Sequence, residues 1–369
     1  MAGSSWGTLL TMTTWGESHG EGLGVVIDGC PAGLTLQEED IQKYLDRRKP
    51  GQSRYSTKRR EGDEAKILSG VFEGRTTGTP ISLVVRNTDH RSGDYSQIKD
   101  VYRPGHADYT FDEKYGFRDY RGGGRSSGRE TIGRVAAGAV AARLLESLGI
   151  QVMAYTRSIG PVEIEESRFD REEIGRNSLC MPDAAAAFHA EEYLQQMMGQ
   201  KDSAGGVVEC VVTGMPAGVG EPVFEKLDAR LAHGIMSIGA VKGVEIGDGF
   251  AAAKSRGTQN NDPFRMKKSE KKPVKTTNHA GGILGGISDG DTIVLRAAFK
   301  PTPSIGASQQ TVNRQGENVK IVIGGRHDPI IVPRAVVVVE AVTAFTIADM
   351  LLQSMTSRLD RIQKFFSQE

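Results

Sequence analysis

The sequence lacks an excess of charge of either sign. Its 369 residues include 46 Lys plus Arg and 46 Asp plus Glu, so the formal net charge is zero. Proteins that bind nucleic acids or membrane surfaces generally need a basic excess. Aromatic residues, which would stack on bases, make up only 6% of the chain. We therefore expect neither nucleic acid nor membrane among its partners.

Cysteine is also scarce. The three cysteines, Cys30, Cys180 and Cys210, are too few and too irregularly spaced for a disulfide framework. No spacing among these cysteines and the seven histidines matches a zinc site, so no metal is expected. The N-terminus lacks a basic region followed by an apolar stretch, the pattern of a signal peptide. These features predict a cytoplasmic protein.

Long apolar runs and the common nucleotide-binding motifs are missing as well. The longest apolar stretches, such as 135–142 and 335–339, are too short to span a bilayer. The glycines 122–124 are not followed by Gly-Lys-Ser or Gly-Lys-Thr, which excludes a phosphate-binding loop of the nucleotide-hydrolase type. No strand runs into a Gly-x-Gly-x-x-Gly turn with an acidic residue beyond it, as dinucleotide-binding folds require.

Hydrophobic periodicity predicts a mixture of strands and helices without repeats or clean linkers. The predicted strands are 23–28, 66–72 paired with 80–86, 241–246 and 292–298. The predicted helices are 37–47 capped by Thr35, 131–148, one from Glu221-Pro222 through Leu231, and 333–352, where the β-branched run 336–339 leaves a strand as the alternative. Polar segments near 47–60, 91–129 and 254–275 are expected to be mobile loops of a single domain, 1–369.

Glycine is abundant, with 46 residues, and three segments combine it with Ser, Arg and His: 15–22, 121–131 and 324–329. Glycine lets the backbone approach a ligand closely, and the other three residue types hold anionic oxygen. The predicted helix at 131 would direct its positive N-terminus at the second segment, which suits a phosphate. Each segment alone could be a surface turn, but together they predict a composite site for a phosphorylated ligand.

Two histidines and one aspartate are candidates for proton transfer. His19 lies between Ser18 and Gly20, and a histidine titrates near neutral pH. His106 follows a Pro-Gly pair, and Asp108 could orient its ring; either histidine could instead be a structural hydrogen-bonding group. Asp328 lies two residues after Arg326, a pattern more typical of an ion pair, and it becomes a base only where water is excluded.

Taken in order, these motifs resemble the chorismate synthase family over essentially the whole chain. The matching segments are Gly16-Glu-Ser-His-Gly20, Arg103-Pro-Gly-His-Ala-Asp108, Gly124-Arg-Ser-Ser-Gly-Arg-Glu-Thr131, Asn278-His-Ala-Gly-Gly-Ile-Leu-Gly-Gly286, Lys300-Pro-Thr-Pro-Ser304 and Arg326-His-Asp-Pro329. Six motifs in the family's order are a specific signal. Residues 261–275 are not matched to the family.

The resemblance implies an α+β fold, a β-α-β sandwich with a helical layer between two antiparallel sheets, assembled as a homotetramer. It implies a lyase of the shikimate pathway, which serves aromatic amino-acid biosynthesis. The expected reaction converts 5-enolpyruvylshikimate 3-phosphate to chorismate and phosphate by an anti 1,4-elimination. The reaction needs reduced FMN but has no net redox change. The insertions of bifunctional members are not evident, so we expect a separate flavin reductase.

The resemblance also implies roles for individual residues. His19 would protonate the leaving phosphate with support from Ser18, His106 would set the protonation state of the reduced flavin, and Asp328 would work with flavin N5 in removing the C6 proton. The residues implied to bind FMN are Arg125, Ser126, Ser127, Gly239, Ala240, Gly285, Lys300, Pro301, Thr302, Pro303, Ser304 and Arg326. Those implied to bind substrate are Arg48, Arg54, Arg103 and Arg129, with NADPH as the alternative ligand of the first two.

Two other functions are compatible with the same sequence features. A flavin reductase or oxidoreductase would use the cofactor loops for net electron transfer. A non-catalytic module that binds anions or RNA would use the basic segment 47–60, although the neutral net charge counts against it.

Overall fold

The computed structural model describes residues 3–51, 54–55, 62–87, 99–266, 273–323 and 328–367. Helices and antiparallel strands alternate along these segments. The helices are α1 Glu38–Arg48, α2 Asp108–Tyr115, α3 Thr131–Glu146, α4 Ala184–Gly199, α5 Leu227–Met236, α6 Gly257–Asn260, α7 Val332–Gln353 and α8 Leu359–Phe366.

Two five-stranded antiparallel sheets form the outer layers. The first has the order β1-β2-β3-β7-β4, with β1 Ser5–Gly7, β2 Thr11–Gly16, β3 Gly22–Asp28, β4 Ala65–Ile67 and β7 Ile81–Arg86; the hairpin β5 Val71–Phe72 and β6 Arg75–Thr76 lies between β4 and β7 in the chain. The second has the order β11-β16-β10-β8-β9, with β8 Gln151–Ile159, β9 Val162–Glu163, β10 Gly206–Thr213, β11 Val241–Ile246 and β16 Ile293–Phe299. Short hairpins complete the described strands: β12 Phe264–Arg265 with β13 Val274–Lys275, β14 Ile283–Leu284 with β15 Ile287–Ser288, and β17 Gln309–Val312 with β18 Asn318–Ile321.

A helical layer lies between the two sheets. Helix α3 packs against β2 and β3 of the first sheet and against α7, which in turn packs against β8 and β10 of the second. The two helices approach closely at Gly138, where an added Cβ would lie 2.3 Å from the Cβ of Ala341. Alternate side chains of β7 and β16 are buried. The structure therefore confirms the expected α+β fold with helices between antiparallel sheets.

Helix α7 is the central element of that layer. It contains the β-branched run 336–339, and its helical conformation shows that burial on all sides outweighs the strand preference of valine. The window Val332–Thr356 is long and apolar enough to cross a membrane, but 89% of it is buried within the protein, as in a core helix. In the sequence, Glu340 and Asp349 interrupt the apolar residues of this helix, so each uninterrupted apolar run is shorter than the helix itself. Both carboxylates are buried and hydrogen-bonded.

Several predicted boundaries were wrong. Gln37, not Thr35, is the N-cap of α1, and its N–H donates to the Asp40 carboxylate (3.0 Å). Helix α5 begins at Leu227 rather than at Glu221-Pro222, because a short 3-10 turn starting at Val223, with φ +65°, intervenes.

Regular structure also occurs where loops were expected. Helix α2 lies within 91–129, and α6, β12 and β13 lie within 254–275. Residues 52–53, 56–60, 91–98 and 267–272 of the three segments expected to be mobile lie outside the described residues, as does Arg326.

Candidate active site

His19 lies in the loop of the β2–β3 hairpin. The loop spans residues 17–21, and the N–H of Gly20 donates to the carbonyl of Glu17 (3.2 Å). Glycine is required at the start of this loop, because Gly16 has φ +86° and a Cβ there would lie 2.3 Å from the carbonyl oxygen of Gly22. Ser18 beside His19 is buried, and its hydroxyl has no hydrogen-bond partner within the described residues.

Gly122 packs directly against this loop. It has φ +94°, and an added Cβ would lie 2.8 Å from His19 Cδ2 and 3.0 Å from Ser18 Oγ. The Gly122 carbonyl accepts a hydrogen bond from Arg103 Nη2 (3.3 Å). The first and second glycine-rich segments therefore meet at His19.

Arg103 is held by Asp108 through two hydrogen bonds of 2.7 Å each. Burial raises the pKa of Asp108, but the hydrogen bonds and charge of Arg103, with help from Arg118, outweigh it and hold that pKa below its ordinary value. The expectation that Asp108 orients the ring of His106 was wrong, because its carboxylate oxygens are engaged by arginines.

His106 instead contacts the segment 300–304 that follows β16. Its Nε2 shares a hydrogen bond with Ser304 Oγ (2.6 Å). The preceding Gly105 packs against Pro303, and its carbonyl accepts from Lys300 Nζ (2.8 Å). The backbone N–H of Lys300 donates to the carbonyl of Ala240 (3.0 Å), which brings the start of β11 to the same place.

Asp328 lies beside the same segment, at the entrance to α7. Its carbonyl accepts from Thr302 Oγ1 (2.7 Å), and its carboxylate pairs with Arg334 Nη1 (2.8 Å). Sequence reasoning pointed to Arg326 as the neighbouring cation, but that residue lies outside the described ones. Arg334 Nε also donates to the carbonyl of Arg48 (3.1 Å).

Arg48 and Arg129 share one carboxylate. Asp63, whose side chain is fully buried, accepts from Arg48 Nη2 (2.9 Å) and Arg129 Nη1 (3.2 Å). Burial lowers the pKa of Arg48 to about 10 despite the opposing charge of Asp63, so the guanidinium stays protonated at neutral pH. Two cations on one anion give these three side chains a net positive charge.

Arg54 stands apart from this group. Its guanidinium pairs with Glu191 of α4 (2.8 Å), and its side chain is 59% exposed. The structure thus brings Arg48 and Arg129 together but places Arg54 against a different element.

The contacts around these residues form a closed circuit, which we call the contact ring. Asn87 completes it: its side-chain amide accepts hydrogen bonds from Arg129 and donates to the carbonyls of Glu17 and Gly20, on either side of His19. In order, the ring runs through His19, Gly122, Arg103, the 103–108 loop with His106, Ser304, Thr302, Asp328, Arg334, Arg48, Asp63, Arg129 and Asn87. His19, His106 and Asp328 therefore lie on one continuous structure that spans both sheets.

The other residues expected to bind cofactor fall into two groups. Arg125 lies on the ring side, because its guanidinium donates to the carbonyl of Gly16 (3.0 Å) and to Thr14 Oγ1 (2.6 Å). Ser126 and Ser127 stabilise their own turn, through Ser126 Oγ to the Gly123 carbonyl and the Arg129 N–H to Ser127 Oγ.

Gly239 and Gly285 lie on other turns. Gly239 precedes β11, beside Ala240, which is part of the group around Lys300. Gly285 lies in the β14–β15 turn; the next residue, Gly286, packs against Lys226 at the start of α5, so this turn contacts α5 rather than the ring.

Three ring residues were missed by sequence reasoning: Asp63, Asn87 and Arg334. Asp63 and Asn87 each stand alone in polar segments, and their partners are 15 to 70 residues away in the chain. Only Arg334 carried a local signal, since it follows Pro333 in the first turn of α7 and is six residues from its partner Asp328.

The chain is similar to known proteins along nearly its whole length. The chorismate synthase family model matches residues 10–352. A chorismate synthase of Lachnoclostridium phytofermentans is 63% identical, covering 99% of this chain and 100% of the relative. One of Agathobacter rectalis is 65% identical, covering 99% of both chains.

A crystal structure of a chorismate synthase superposes with a TM-score of 0.77 at 33% identity, covering 98% of this chain and 97% of that one. Family model, sequence relatives and fold thus agree, and the family model's range, residues 10–352, contains the whole contact ring. The chain belongs to the chorismate synthase family and is an enzyme of the shikimate pathway that forms chorismate.

Proposed function

We propose that this enzyme forms chorismate from 5-enolpyruvylshikimate 3-phosphate by an anti 1,4-elimination that requires reduced FMN. The observation that carries the proposal is the contact ring, which joins two histidines, a carboxylate and several arginines from distant parts of the chain. The substrate bears a phosphate and two carboxylates, and FMN bears a phosphate, so the site needs an excess of cations. For the FMN phosphate, Arg125 and Lys300 are suited because neither has a carboxylate partner among the described residues.

The residues present fit a flavin mononucleotide. Among the described residues, an added Cβ would meet nothing within 4 Å at Gly124 or Gly239, so a planar ring or a phosphate has access to the backbone there. Lys300, Ser304 and Arg125 would hold the group through a cation, a hydroxyl and a guanidinium. The chemistry that reduced FMN supplies when bound is transient electron density for the breaking allylic C–O bond, recovered as the C6 proton leaves.

His19 and Ser18 serve the leaving group in this proposal. The His19 imidazolium donates a proton to the departing phosphate oxygen, and the buried Ser18 hydroxyl, which lacks a partner among the described residues, donates a hydrogen bond to the same phosphate. Gly122 fixes both side chains by its close approach, so little reorientation is needed during the reaction.

His106 and Asp328 serve the proton and the cofactor. His106, hydrogen-bonded to Ser304, controls the protonation of the flavin that the segment 300–304 would hold. Asp328 accepts the C6 proton, and its ion pair with Arg334 holds the carboxylate in place before the reaction.

The arginines divide into those that contact substrate and those that support them. We assign substrate contact to Arg103 and Arg129, which lie on either side of the His19 loop. Arg48 is 1% exposed and acts through Asp63, so we assign it to positioning rather than to direct contact with substrate or NADPH. Arg54 contacts substrate only after leaving Glu191.

We further propose that a separate reductase supplies the reduced FMN and that the chain acts as a cytoplasmic homotetramer. Large exposed apolar side chains, including Phe224, Phe250, Phe365 and Phe366, provide surface that assembly would cover. Sedimentation equilibrium tests the assembly, and a monomer at micromolar concentration would reject it.

Anaerobic turnover tests the reaction. Enzyme, substrate and dithionite-reduced FMN are mixed while phosphate release and flavin absorbance are followed together. We expect many phosphates released per flavin with no net flavin oxidation. Oxidation of the flavin in step with substrate consumption, without phosphate release, would instead identify a flavin oxidoreductase.

A further inference from the structure

Asn87 lies beside the His19 loop because of the register of the first sheet. Strands β3 and β7 pair with Gly22 opposite Arg86, so the residue after β7 comes next to the loop that precedes β3. The backbone N–H of Asn87 continues the pairing by donating to the carbonyl of Glu21 (3.0 Å). The sheet therefore fixes where the Asn87 side chain begins.

The Asn87 side chain uses its full hydrogen-bonding capacity. Its Nδ2 donates to the carbonyls of Glu17 (3.0 Å) and Gly20 (2.8 Å), which bracket Ser18 and His19. Its Oδ1 accepts from Arg129 Nε (3.0 Å) and Nη2 (2.7 Å). An amide has two N–H donors and one oxygen with two lone pairs, so every group is engaged and the amide orientation is fixed by its partners.

The other end of Arg129 is fixed as well. Its Nη1 donates to Asp63, which adopts φ +46°, a left-handed conformation that is uncommon for residues other than glycine. Asp63 thus holds Arg129 from one side and Asn87 holds it from the other. A rigid connection runs from the buried carboxylate, through the guanidinium and the amide, to the turn that carries His19.

We propose that Asn87 is a positioning residue of the reaction, which holds the 17–20 turn, and with it His19, in register with Arg129. This inference rests on the proposed function, in which His19 and Arg129 act on the same substrate. A group that transfers a proton to a leaving phosphate must be placed accurately, because a displacement of about 1 Å can cost about 10²-fold in rate.

Asn87→Asp removes the donor contacts of the amide while keeping its acceptor contacts. The substituted carboxylate is nearly the same shape and still accepts from Arg129, but it replaces both N–H donors with an oxygen that faces two carbonyl oxygens. Asn87→Ala removes the contacts on both sides. Asn318→Asp, at an exposed position on β18, is the matched control for the same chemical change.

Hydrogen exchange of the protein without flavin or substrate gives the first readout. We expect the peptide that covers residues 17–20 to exchange about tenfold faster in Asn87→Asp. The peptide that covers 25–27 of β3, the melting temperature, and the control variant should match the wild type. If Asn87→Asp does not fold, Asn87→Ala carries the same exchange comparison.

Kinetics give the second readout. We expect Asn87→Asp to lower kcat by about 10²-fold with the substrate KM within about threefold of wild type, because Arg129 keeps its acceptor. In Asn87→Ala the KM should also rise. The pH limb of kcat that reports His19 should move upward in Asn87→Asp, since a nearby negative charge favours the imidazolium.

Wild-type exchange in the 17–20 peptide together with wild-type kcat in Asn87→Asp would overturn the inference. A loss of melting temperature and FMN affinity in parallel with kcat would also overturn it, because that pattern indicates a general structural role. A wild-type enzyme that releases no phosphate would reject the proposed function instead, whatever the exchange result shows.

Discussion

The two sheets contribute to the contact ring in different ways. Beside the first sheet, charged and amide side chains hold one another: Asp63 precedes β4, Asn87 follows β7, Arg129 precedes α3, and together they fix the His19 loop. The second sheet leads into the proline-containing segment 300–304, where the side chain and the backbone N–H of Lys300 donate to the carbonyls of Gly105 and Ala240. Under the proposed function, the half of the ring beside the first sheet (the first half) orients charges for an anionic substrate, whereas the half beside the second sheet (the second half) presents a surface for a planar cofactor. Variants in each half should therefore affect different ligands.

The largest effect should come from His19→Ala in the first half. Loss of the general acid is expected to lower kcat on the order of 10³-fold, while affinity for FMN stays at the wild-type value. Phosphate release and flavin titration measure the two quantities. His189→Ala, on the exposed face of α4, is the control and should leave both unchanged.

A reduced FMN affinity in His19→Ala that matches its loss of turnover would break the proposed division between the halves. It would show that the His19 loop serves the cofactor as much as the substrate.

Gly122→Ala should have the next largest effect, because the new methyl group would overlap with His19 and Ser18. We expect a reduction of kcat of about 10²-fold from displacement of the acid. The positive φ of Gly122 adds backbone strain, so the melting temperature is measured alongside the rate. Gly199→Ala, where a Cβ would meet none of the described residues within 4 Å, provides the control. Wild-type turnover in Gly122→Ala would show that the close packing seen here does not fix His19.

Ser304→Ala tests the second half of the contact ring. Its effect should be smaller and should fall on FMN binding rather than on kcat. It removes the hydrogen bond to His106, and one such bond corresponds to about a two- to tenfold change in affinity. We expect weaker binding of FMN in a flavin titration, with the substrate KM near the wild-type value. A raised KM with unchanged FMN affinity would assign this segment to the substrate.

The smallest expected effect is on the pH dependence of the free energy of unfolding. The folded-state pKa of Asp108 lies below its ordinary value, so its pair with Arg103 contributes stability above the unfolded-state pKa of about 3.9 and loses it as the pH falls through the lower, folded-state value. The difference in free energy of unfolding between wild type and Asp108→Asn should be constant from about pH 7 to pH 5 and should shrink below about pH 4. Urea unfolding at several pH values measures it, and a difference that shrinks above pH 5 would contradict the assigned ionisation.

The sequence predicted elements whose apolar residues recur at a regular spacing. It did not predict contacts between residues that lie far apart in the chain. Helices α3 and α7 and strands β3, β11 and β16 were recognisable because each carries its own apolar pattern. The short helix α2 was missed because its apolar residues form no stripe.

The same limit applies to the site. The glycine-rich loops and their histidines could be found locally, because the residues that define them are adjacent in the chain. Asp63 and Asn87 could not, since an ion pair or amide bridge formed by tertiary packing leaves no mark on the residues around it.

A crystal structure of the protein with oxidised FMN and 5-enolpyruvylshikimate 3-phosphate tests the central claim most directly. The claim is that His19, His106 and Asp328 act in one site bounded by the contact ring. We predict one substrate molecule whose phosphate contacts His19 and Arg129, with the flavin in contact with the segment 300–304. Substrate and flavin bound at separate places, with His19 and His106 contacting neither a shared ligand nor two ligands that touch, would contradict the account.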